Sequence, residues 1–136
     1  MDASTERVRP ERPLSPHLQI YSPLINMVTS ILHRITGAAL YVGSLLLVVW
    51  LLAAATGPDV YDYVAALFAT WPAKLILLGY TWALMLHLLG GLRHLIWDTG
   101  AGYELKTTDI LCWGSLALSF ALTALIWIGV AASGGL

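Results

Sequence analysis

Three long stretches without a charged side chain constrain this chain more than any other feature. Residues 35–55 carry none, residues 75–92 hold no Asp, Glu, Lys or Arg and one histidine, His87, and residues 110–136 again carry none. A helix rises about 1.5 Å per residue, so ~20 residues cross a hydrocarbon core of ~30 Å. In lipid each backbone polar group must be satisfied within the structure, which selects helices over an open sheet. The remaining composition agrees: 11% of residues are charged and 58% hydrophobic, against roughly 25% charged in an average soluble domain. Too few polar side chains remain to clothe a water-facing surface, which excludes an ordinary soluble domain and a disordered chain. A net charge of −1 gives no basis for nucleic-acid binding. The single cysteine, Cys112, excludes an internal disulfide framework and a cysteine-ligated cluster.

The expected fold is therefore an all-α membrane protein with three transmembrane helices. The spans fall at about 27–56, 72–97 and 109–132, within a transmembrane domain over 25–136 that follows an N-terminal arm over 1–24. Gly57-Pro58-Asp59 stops the first helix, and Asp59 and Asp62 keep the next stretch at the interface, where a short helix fits between Asp59 and Ala69. Trp71-Pro72 begins the second helix at headgroup level, and Trp97-Asp98-Thr99-Gly100 ends it. A loop from Ala101 to Asp109 then leads into the third. The arm reads as neither a cleaved signal nor a transit peptide, because its apolar run begins late and Asp2, Glu6 and Glu11 intrude. Its prolines, Pro10, Pro13 and Pro16, forbid a continuous helix and suit an extended segment lying on a partner. Of the seven Lys/Arg, Arg7, Arg9, Arg12, Arg34, Arg93 and Lys106 fall on the side of the arm and only Lys74 on the other. The positive-inside rule then predicts a cytoplasmic N-terminus and a periplasmic C-terminus, in a bacterial inner membrane.

Ionisable and polar groups at membrane depth are costly and mark function. Two clusters qualify. Ser30, His33, Arg34 and Gly37 stand at i, i+3, i+4 and i+7, on one face of the first helix. Their arginine and histidine can simply snorkel to the headgroups, or the face can form a polar pocket with room for something flat. His87, Gly90, Gly91 and His94 repeat the pattern on the second helix. His87 lies about 15 Å inside Trp97 by helix rise, near the bilayer midplane. A histidine there is either interhelical polar glue or a metal ligand, imidazole being the usual axial ligand of haem. His33 and His94 read as shallower, so a bis-histidine haem on His87 draws its second ligand from another chain. A haem held between His33 and His94 is the rival within the chain. Arg34, Arg93 and the shallow histidines suit anionic propionates.

These segments, Arg12-Pro13-Leu14-Ser15-Pro16-His17-Leu18-Gln19-Ile20-Tyr21, then Ser30 to Gly37 as SILHRITG, then His87 to Asp98 as HLLGGLRHLIWD, stand in one order around three spans. In that combination the chain resembles the cytochrome b membrane-anchor subunits of succinate dehydrogenase. It departs where the family often has Asn (Gly90) and a basic residue (Ser22). The resemblance implies that His87 is the axial ligand of a haem b shared with a partner anchor. It implies that His33, Arg34, Gly90, Gly91 and His94 line the haem and its propionates, and that Ser30 and Arg34 contact ubiquinone. It also implies three partners: a second small anchor, packing with this chain into a larger helical bundle, an iron–sulfur subunit and a flavoprotein. Succinate chemistry belongs to the flavoprotein, and no catalytic residue is expected here. His17 takes no ligand role, and Cys112 and the tryptophans read as lipid-facing or packing residues. The alternatives are a cofactor-free structural anchor and a small carrier or channel subunit, for which the third helix offers only Ser115, Ser119 and Thr123 as polar lining.

Overall fold

The computed structural model describes residues 12–135. The part of the arm before Arg12, with Arg7 and Arg9, lies outside the described residues. From Arg12 to Pro16 the chain is not helical, and a single turn, α1 (His17–Ile20), follows. The long helices are α2 (Ile25–Thr56), α4 (Trp71–Asp98) and α5 (Leu105–Ala132), with the short α3 (Pro58–Phe68) between the first two. All three long helices are long and apolar enough to cross a membrane. At 32 residues, α2 measures about 48 Å, well beyond a ~30 Å hydrocarbon core.

The breaks have local causes. Gly57 sits at φ +142°, a conformation that L side chains rarely adopt, and Pro58 opens α3 with its fixed φ. The Thr70 hydroxyl donates to the Leu67 carbonyl at 2.7 Å, closing α3 just before Pro72 enters the first turn of α4. After Asp98 the chain turns through Gly100 and Gly102, both at positive φ. Here α5 begins at Leu105, sooner than the sequence suggested, so Lys106 and Asp109 ride on its first turns rather than in a loop. The shortened loop is tied down from both sides. The Trp97 indole and the Thr108 hydroxyl both donate to the Gly102 carbonyl, at 3.2 and 3.1 Å, and the Tyr103 hydroxyl donates to the Trp97 carbonyl at 3.0 Å.

The bundle is apolar outside and small or polar inside. Tyr41, Val42, Leu45, Leu51, Leu88, Leu95, Phe120 and Leu125 are all exposed. The buried positions repeat at helical spacing: Thr29, Thr36 and Gly43 on α2, Ala83, Leu86, Gly90 and Arg93 on α4, and Cys112, Ser115, Ser119 and Thr123 on α5. Lipid tails are as apolar as leucine, so burial of large side chains does not drive such helices together. Close backbone approach and interhelical hydrogen bonds do. The Trp82 indole donates to the Ser119 hydroxyl at 3.2 Å and the Trp127 indole to the Thr81 hydroxyl at 3.3 Å. The buried serines and the buried threonine of α5 spend their own protons on carbonyls within the helix: Ser115 on Cys112, Ser119 on Leu116, Thr123 on Ser119. Cys112, fully buried, is a packing residue and does not face lipid.

Candidate functional site

The two histidine clusters meet where α2 and α4 run antiparallel. The imidazoles of His33 and His87 stack with centroids 4.0 Å apart and planes 9° from parallel. His87 Nδ1 lies 3.1 Å from the His33 carbonyl oxygen, and His33 Nε2 lies 3.2 Å from the His87 carbonyl oxygen. A carbonyl can only accept, so each of these ring nitrogens carries the proton it donates. The pairing is reciprocal: each ring bonds the other's backbone.

Glycine makes this possible on both helices. A helical carbonyl is screened by the side chains three and four residues further on. Gly37 stands four residues after His33, and Gly90 and Gly91 three and four after His87. A Cβ at Gly37 would lie 2.9 Å from His87 Cε1, and one at Gly90 would strike the ring of His33. Each imidazole thus fills the gap left by a glycine on the opposite helix. Gly91 differs, since a Cβ there would meet nothing within 4 Å.

The sequence had set His33 shallow and His87 deep, with no histidine of this chain at the depth of His87. The structure brings them to one level. Counting from helix ends misses how far α2 slides along α4 until ring and glycine fit. His94 is exposed and meets His33 edge-on, with centroids 5.1 Å apart. The contacts continue outward from His94 to Trp97 at 5.4 Å and from Trp97 to Tyr103 at 6.1 Å.

Ser30 is half-buried and Arg34 exposed, one turn apart on α2 beside the stacked pair. Neither side chain makes a hydrogen bond among the described residues. Arg93 behaves otherwise. It does not stand with Arg34 but turns inward against α5, with 3% of its surface exposed. Its Nη1 donates to Cys112 Sγ at 3.4 Å and to the Ser115 hydroxyl at 3.3 Å, and its guanidinium lies 5.2 Å from the Trp97 ring centre. Thr29 of α2 also donates to Cys112 Sγ, at 3.3 Å, so a polar knot joins all three long helices. Sequence reasoning missed this knot. The signal was the shared spacing of Leu86, Gly90 and Arg93 with Cys112, Ser115 and Ser119. Among the described residues no group of three or more His, Cys, Asp or Glu could hold a bare metal ion.

Fold and site together define a class: a multi-pass helical membrane subunit that buries no large apolar core and clasps two histidines between its spans. Residues 8–126 match the family described as succinate dehydrogenase/fumarate reductase transmembrane subunit, and the chain belongs to it. It is 43% identical over 123 residues to the succinate dehydrogenase cytochrome b556 subunit of Paracoccus denitrificans, covering 88% of this chain and 94% of that protein. Its counterpart in Rickettsia prowazekii is 36% identical over 118 residues, covering 87% and 92%. The succinate dehydrogenase cytochrome b560 subunit of Reclinomonas americana is 33% identical over 122 residues, covering 86% and 85%.

Proposed function

We propose that this chain is the haem b-binding membrane anchor of a succinate:quinone oxidoreductase, and that His87 ligates the haem iron through Nε2. One observation carries the reading: His87 Nδ1 donates to the His33 carbonyl. That bond fixes the tautomer and leaves the Nε2 lone pair free, which is what a metal-ligating histidine needs. Stacking on His33 does not compete, because it uses the face of the ring and coordination uses a lone pair in its plane. The bound haem supplies one-electron transfer.

A partner anchor would supply the other residue that holds the haem. Rings stacked in parallel direct their lone pairs side by side, so His33 and His87 cannot meet one iron from opposite faces. The rival pair, His33 and His94, touch edge-on at 5.1 Å, which leaves no slot for a flat macrocycle between them. His94 and Arg34, both exposed near this end of the bundle, would bind the propionates, and Gly91 leaves its flank of α4 uncovered. His33 spends its Nε2 proton on α4 and keeps Nδ1 for any further partner. Gly90 serves the haem indirectly, by seating His33.

Ser30 and Arg34 form the quinone-facing pair. Both carry donors that meet no partner among the described residues, on the same flank of α2. A hydroxyl and a fixed guanidinium stabilise negative charge that develops on a quinone carbonyl oxygen during reduction. The cation-rich side, with the arm, faces the cytoplasm and receives the iron–sulfur and flavoprotein subunits, so electrons enter where Ser30 and Arg34 lie. The expected quinone is ubiquinone.

The test is the reduced-minus-oxidised spectrum of the purified complex. His87→Leu should remove or alter the bis-imidazole signal, and His33→Leu should retain iron ligation. An unaltered spectrum in assembled His87→Leu complex would overturn the assignment.

A further inference from the structure

From the reciprocal clasp we infer that Gly37 and the backbone carbonyl of His33 are positioning elements for the iron ligand: they set the rotation and the electron richness of the His87 imidazole. The inference rests on His87 being the ligand, and adds to it what holds that ligand.

Four observations converge on one ring. Its Nδ1–H is engaged by the His33 carbonyl at 3.1 Å. The Thr36 hydroxyl oxygen lies 3.4 Å from the same nitrogen. One face is covered by the His33 imidazole at 4.0 Å. Its Cε1 edge rests against Gly37, where a methyl group would stand at 2.9 Å. Real Cβ contacts are not that short, so a side chain at residue 37 must push the ring. The ring cannot yield freely, because the stack and the hydrogen bond hold it from two other directions. Gly37 is therefore required for a reason apart from helix packing: it exposes the carbonyl and makes room for the ring that binds it.

Both consequences can be read in a bound haem. Donation from Nδ1–H to a carbonyl increases the basicity of the coordinating nitrogen and favours the ferric state. The angle between the two axial imidazole planes sets the rhombicity of the low-spin ferric signal. The side chain of His33 contributes only the stack, whereas its carbonyl persists in any substitution at position 33. Perturbation at Gly37 and perturbation at His33 should therefore differ.

The experiment uses the membrane-extracted complex. In Gly37→Ala, haem content should be retained, the low-spin electron paramagnetic resonance g-values should shift, and the midpoint potential should move in the positive direction. His33→Phe, which keeps a flat ring and the carbonyl, should shift the potential less than Gly37→Ala does. Wild-type g-values and potential in fully haem-loaded Gly37→Ala would overturn the inference. Should Gly37→Ala fail to assemble, pulsed electron–nuclear spectroscopy of the wild-type complex decides. A remote imidazole nitrogen whose proton resists exchange in deuterium oxide supports the carbonyl bond, and one that is unprotonated or exchanges rapidly refutes it. His87→Leu is the separate control. If it leaves the haem signal untouched, the ligand assignment fails, whatever Gly37 does.

Discussion

At residue scale, the proposed quinone contacts give Ser30 and Arg34 different shares of the work. They share a flank of α2, but one is a half-buried hydroxyl and the other an exposed cation. A single neutral hydrogen bond contributes about 1 kcal/mol, equivalent to several-fold in rate. Ser30→Ala should therefore slow succinate-driven quinone reduction several-fold. Arg34→Leu should slow it more, since a charge-assisted donor is about twice as strong as a neutral one. Reduction of a soluble dye by succinate should persist in both, because dye reduction bypasses the membrane pocket. Steady-state assays with both acceptors on assembled complex separate the cases. Full quinone reduction in Arg34→Leu would leave that residue as an interface anchor. Arg93 shows why residue type alone is a poor guide to such roles. The two arginines look alike in sequence, each beside a histidine, and one turns to the surface while the other turns into the bundle against Cys112 and Ser115.

At the scale of helices, glycine positions sort by what lies opposite. A Cβ at Gly43 would collide with the Tyr80 ring, whereas one at Gly114 would meet nothing within 4 Å. Gly43→Ala should then force α2 from α4 and cost about 1–3 kcal/mol, the usual range for overpacking. Gly114→Ala should be neutral or gain roughly 0.5–1 kcal/mol from reduced backbone entropy. Thermal denaturation of the detergent-solubilised complex compares them, and equal shifts would contradict the packing described. The same contrast explains what could be read before the structure. Charge-free length located the helices, and Gly57-Pro58 and Trp71-Pro72 marked their breaks, because these signals are local. The start of α5 at Leu105 was not legible, since no capping side chain announces it and its first turn is charged. The site was half legible. Faces could be drawn for each helix, but the meeting of His33 with His87 depends on the register of two helices, and that register is set by ring-into-glycine fits at Gly37 and Gly90 that neither helix shows alone.

At the scale of the whole molecule, the proposed orientation rests on six of the seven cations lying on the side of the arm. A reporter fused after Leu136 should be active as an extracytoplasmic enzyme and silent as a cytoplasmic one. Cytoplasmic activity there would reverse the placement of Ser30 and Arg34 relative to the hydrophilic subunits. The turn between α4 and α5 has a further consequence, for biogenesis. Gly102 accepts from Trp97 on one helix and Thr108 on the other, and Tyr103 stacks back onto Trp97. The six residues between the helices thus tie the two helix ends together before any neighbour arrives: the Thr99 and Gly100 amides donate to the Ile96 and Trp97 carbonyls, and the Glu104 carbonyl accepts from the Thr108 amide. Such a pair can leave the translocon as one preformed hairpin, its seam already bridged from Arg93 to Cys112 and Ser115 and from Trp82 to Ser119, and α2 then docks by adding the Thr29 hydroxyl to Cys112.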